Sequence, residues 1–68
     1  MSLPSHPFIS IIIPHWNGVE ILSECIDSLK NSTYPNFEII VVDNASTDES
    51  VAWLKEHHPG ILLVQNEV

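Results

Sequence analysis

The stretch FEIIVVDNASTDES, residues 37–50, decides the fold. Its β-branched run over residues 38–42 predicts a strand interior to a parallel sheet. The run passes straight into Asp43-Asn44, and Ser46 with Glu49 three residues later has the S-x-x-E spacing that starts a helix. A polar loop is thereby delivered to the carboxyl end of a buried strand, where open α/β sheets bind their ligands.

Upstream, FISIII at residues 8–13 is a short apolar run ended by Pro14, which predicts a first strand covered on both faces. Between the two strands Val19, Leu22, Cys25, Ile26 and Leu29 recur at steps of three and four and predict a helix over residues 19–31. Asn17 with Glu20 resembles a capping box at its start, and Lys30 complements the dipole at its end. Downstream, the second helix is expected to turn Val51, Ala52 and Leu54 inward and to stop at His57, His58, Pro59 and Gly60; ILLV at residues 61–64 then makes a third strand.

The order predicts an α/β fold: a three-layer βαβαβ parallel sheet with right-handed crossovers, equivalent to one Rossmann-like mononucleotide-binding half. The first strand is expected at an edge and the second between it and the third. A strand of buried type left at an edge is a template for pairing, so the chain is read as an N-terminal piece of something larger. Residues 1–7 are expected to be a flexible leader, and residues 8–68 an incomplete nucleotide-binding domain.

Composition narrows the partners. The chain has 68 residues with 44% hydrophobic content, enough for one small folded domain. Nine acidic residues against two lysines give a formal charge of −7, the wrong sign for following nucleic acid or an anionic membrane. One small anion is still compatible, because backbone N–H groups at a helix start bind phosphate without Lys or Arg. The single cysteine, Cys25, fits a buried apolar role and a reducing compartment, and no apolar run is long enough to span a membrane. The expected location is cytoplasmic.

Two loops, Pro14-His15-Trp16-Asn17-Gly18 and Asp43-Asn44, are expected to converge at the carboxyl ends of neighbouring strands. Trp16 offers a face for stacking on a heterocyclic base, for a gain of about 1–3 kcal/mol. Asp43 and Asn44 offer an acceptor and an amide to a base edge, although Asx side chains also hold turns without any ligand. A calcium loop over residues 43–54 is rejected, because Ala45, Asp48 and Leu54 stand where a ligand, a Gly and the bidentate Glu belong. His57-His58 suits a helix end better than a metal. A phosphoacceptor receiver domain is disfavoured, since Pro14-His15-Trp16 replaces the acidic pair it requires.

SIIIPHWNG followed by IIVVDNASTDES, with V-x-W-L and ILLVQNE after them, resembles the opening of family-two glycosyltransferases over residues 8–67. The resemblance implies the nucleotide-binding half of a GT-A fold and an inverting transfer of sugar from a UDP- or dTDP-sugar to a saccharide acceptor. DNASTD is similar to the rhamnosyltransferase-like branch of bacterial cell-surface polysaccharide enzymes. By position, Pro14, His15 and Trp16 would line the base and Asp43 and Asn44 would address its polar edge. Many relatives carry Thr-Tyr in place of His15-Trp16 and a second Asp in place of Asn44. The family's metal-binding motif and carboxylate base lie in later segments, so the resemblance implies no catalytic residue and no metal ligand here, a divalent cation (Mg or Mn) for the parent, and an inactive piece. The alternative is a non-catalytic module that forms homo-oligomers through its strand edges.

Overall fold

A computed structural model describes residues 7–67, and most of the expected leader lies outside the described residues. The elements run β1 (Ile9–His15), α1 (Val19–Lys30), β2 (Phe37–Asn44), α2 (Ser50–His57) and β3 (Leu62–Asn66). All three strands are parallel in the order β1-β2-β3, with Ile11 beside Ile39 and Val42 beside Val64. The α/β parallel sheet, its order and the central place of β2 follow the expectation from sequence.

Alternation along the strands divides the sheet into two faces. Ile39 and Val41 of β2 are buried with Leu22 and Ile26 of α1 and Leu54 of α2, and Ile13, Leu63 and Trp53 pack around them. Both helices therefore cover the same face. The other face carries Ile12, Ile40, Val42, Leu62 and Val64, and Ile12 is 63% exposed. The described residues thus supply two of the three expected layers.

Four local expectations are corrected. Pro14 does not end β1, which continues to His15. The Ile9 N–H donates to the Asn36 carbonyl on the β2 side, so by alternation residue 14 turns its nitrogen to the free edge, where a missing donor costs nothing. Neither capping box forms: α1 has Gly18 at its N-cap and α2 has Glu49, both without a side-chain cap bond. Ala52 is exposed, and Trp53 packs on the core in its stead. Cys25 is half-buried, not fully enclosed.

Candidate functional site

At the carboxyl ends of the strands the backbone leaves ordinary geometry at two non-glycine positions, Asn17 (φ 49°) and Ala45 (φ 60°). Residues held in the left-handed region cost about 1 kcal/mol or more and persist only where surrounding bonds dictate them. Here the bonds come from a clasp between the two loops. Asn17 Oδ1 accepts the N–H groups of Thr47 at 2.8 Å and Asp48 at 3.2 Å, while its Nδ2 donates to Thr47 Oγ1 at 3.2 Å. In return the Asp48 carboxylate accepts from the Gly18 N–H at 2.7 Å and from the Ser50 N–H at 2.9 Å.

Ser46 joins both loops to β2. Its Oγ accepts the Asn17 N–H at 2.9 Å and donates to Asp43 Oδ1 at 2.5 Å, and its own N–H donates to Asp43 Oδ2 at 3.0 Å. The Ser50 hydroxyl and then the Gly18 and Ser50 N–H groups hold the Asp48 carboxyl at about 2, below its ordinary 3.8. Asp48 thus engages one backbone N–H at the start of each helix, that of Gly18 before α1 and that of Ser50 in α2.

The five residues picked out from sequence do not form one cluster. β2 extends through Asp43 and Asn44, so these neighbours point to opposite faces of the sheet, and Pro14 and His15 do likewise on β1. On the helix side, His15 is only 7% exposed and shares a hydrogen bond with the Ser50 hydroxyl at 3.0 Å. Its register partner Asp43 is 3% exposed. On the open side, Asn44 Oδ1 accepts from Asn66 Nδ2 at 3.1 Å. Trp16 stands beyond the end of β1, 64% exposed.

An open groove of about 420 Å³ lies over the ends of β2 and β3, lined by Asp43, Ala45, Ser46, Val51, Gln65, Asn66 and Glu67. Sequence reading missed the β3 residues, because a QNE triplet after an apolar run has no distinctive spacing. Carboxylate, hydroxyl and amides in one groove suit a neutral, hydroxyl- and amide-rich ligand. Among the described residues no group of three or more His, Cys, Asp or Glu is placed to hold a metal ion, and both Asp43 oxygens are engaged by Ser46. The described residues therefore offer no all-protein cage for a divalent cation. No described helix is long and apolar enough to cross a membrane.

Comparison with known proteins gives this geometry a context. The model of "Glycosyl transferase family 2" matches residues 10–68. A poly(ribitol-phosphate) beta-glucosyltransferase of Bacillus spizizenii is 42% identical over 65 residues, which are 88% of this chain and 10% of that protein. Chondroitin synthase of Escherichia coli is 31% identical over 64 residues, 90% of this chain and 9% of its own length. Among solved structures, mannosyltransferase PcManGT from Pyrobaculum calidifontis, in complex with GDP-Man and Mn2+, superposes with a TM-score of 0.70 at 32% identity, covering 94% of this chain and 20% of that one. The chain thus spans a tenth to a fifth of the length of these proteins.

Proposed function

The chain belongs to glycosyl transferase family 2, and on that premise we propose that it forms the donor-nucleotide half of an inverting glycosyltransferase. The parent moves a sugar from a nucleoside diphosphate donor to a saccharide acceptor at the cytoplasmic side of the cell. The observation that carries this reading is the polar groove at the carboxyl ends of β2 and β3, the position where parallel sheets receive nucleotides. The GDP-Man bound by the Pyrobaculum mannosyltransferase supports the donor class.

In this reading Trp16 stacks on the base, with Pro14 beside it. Asp43 and Asn44 address polar edges from the two sides of β2, and His15 holds the frame from beneath through Ser50. The base is a pyrimidine and the branch rhamnosyltransferase-like, as the DNASTD motif suggests. The groups that activate the acceptor and neutralise the leaving diphosphate, a divalent cation among them, belong to other segments of the parent, so this stretch alone catalyses nothing. Calorimetry of the full-length protein with UDP, dTDP and GDP tests the assignment. Binding of UDP or dTDP, weakened about tenfold or more by Trp16→Ala, is the expected result; preference for GDP removes the pyrimidine, and heat from none of the three removes the site.

A further inference from the structure

The clasp engages Asn17 and Asp48, which carry no role in the reading above, and shares Ser46 with the groove lining. We infer that Asn17 and Asp48 are positioning residues for the donor nucleotide, locking the Trp16 loop to the Asp43–Ser46 turn before any ligand arrives. The inference deepens the nucleotide reading and rests on it.

Three observations support a role beyond ordinary loop stability. The bonds are reciprocal, each loop accepting the other's backbone N–H groups, so neither loop keeps its shape without the other. The strained backbone at Asn17 and Ala45 adjoins the residues proposed to meet the ligand, Trp16 on one side and Asn44 and Asp43 on the other. Finally, Ser46 belongs to both the clasp and the groove lining, so any slackening of the clasp moves a groove wall. Without the clasp both loops sample many conformations, and that ordering cost falls on the binding step. Catalytic steps after binding are left unchanged.

Asn17→Ala and Asp48→Asn in the full-length protein test this through nucleotide affinity, donor KM, kcat and thermal midpoint. The mobility of Trp16 is read by 19F NMR of fluorotryptophan-labelled protein, its resonance assigned as the one that Trp16→Phe removes. The expected result is affinity and KM worse by about tenfold or more with kcat within about threefold, and Trp16 more mobile in the free protein. The charge-swapped pair Asn17→Asp with Asp48→Asn restores acceptors on both loops and is expected to recover part of the affinity. If either single variant fails to fold, Thr47→Gly removes one clasp bond and loosens the turn, and binding is expected to weaken about threefold or more. A lower thermal midpoint with unchanged nucleotide affinity, or unchanged affinity in Thr47→Gly, overturns the inference alone. An unsubstituted protein that binds no nucleotide overturns the nucleotide reading and the inference together.

Discussion

At the scale of single residues, backbone conformation sets the demands of the site more than side-chain volume does. Gly18 has φ 101°, yet a Cβ built there would meet only Ile21 at ordinary contact distance. Gly18→Ala is therefore expected to destabilise the protein by about 1–2 kcal/mol through strain alone. Ala45, at φ 60°, carries the reverse situation, and Ala45→Gly should gain a few tenths to about 1 kcal/mol. Chemical denaturation of both variants checks the pair; equal and small effects would contradict the strain account. Asp43 and Asn44 show a second residue-scale rule. Neighbours in a strand cannot act on the same side, so their contributions to any ligand are separable by substitution.

At the scale of elements, α1 and α2 are joined where Lys30 Nζ donates to His58 Nδ1 at 3.0 Å, which requires a neutral imidazole. Burial, then the Lys30 charge, lowers the His58 pKa from its ordinary 6.5, while Asp27 opposes them. The unfolded chain therefore binds this proton at higher pH than the folded one. The contribution of His58 to stability is complete above pH 6.5 and is lost as pH falls below it. Denaturation at pH 8 and pH 5 is expected to show the loss in the unsubstituted protein and a smaller one in His58→Gln. The elements themselves were legible in sequence because strand runs and the α1 stripe are local patterns: Leu22 and Ile26, two members of that stripe, are the buried residues of α1. The site was legible only in part. Asn17-x-x-Glu20 and Ser46-x-x-Glu49 match local caps, but Asn17, Ser46 and Asp48 are taken by partners about thirty residues away, which no local spacing reveals. Trp53 was likewise passed over because a short helix of eight residues offers too few positions to define its inner face.

At the scale of the whole molecule, the sheet has one face under helices and one face apolar and open among the described residues. That face is bordered by polar pairs, Ser10 Oγ donating to Glu38 Oε1 at 2.7 Å at one end and the Asn44–Asn66 amides at the other. Exposed contiguous apolar surface drives association. The 68-residue polypeptide is expected to bind a hydrophobic dye and to self-associate in sedimentation, and Ile12→Lys to reduce both without loss of helical signal. A strictly monomeric, dye-negative polypeptide would count against an accessible apolar face. The strand edges behave differently from this face, and Pro14 is the reason. A strand adding to the outer edge of β1 finds donors at Ser10 and Ile12 but none at residue 14, so a ladder on that edge lacks a bond near its carboxyl end. Pro14 thus discourages strand addition at the end of that edge beside which Trp16 stands exposed.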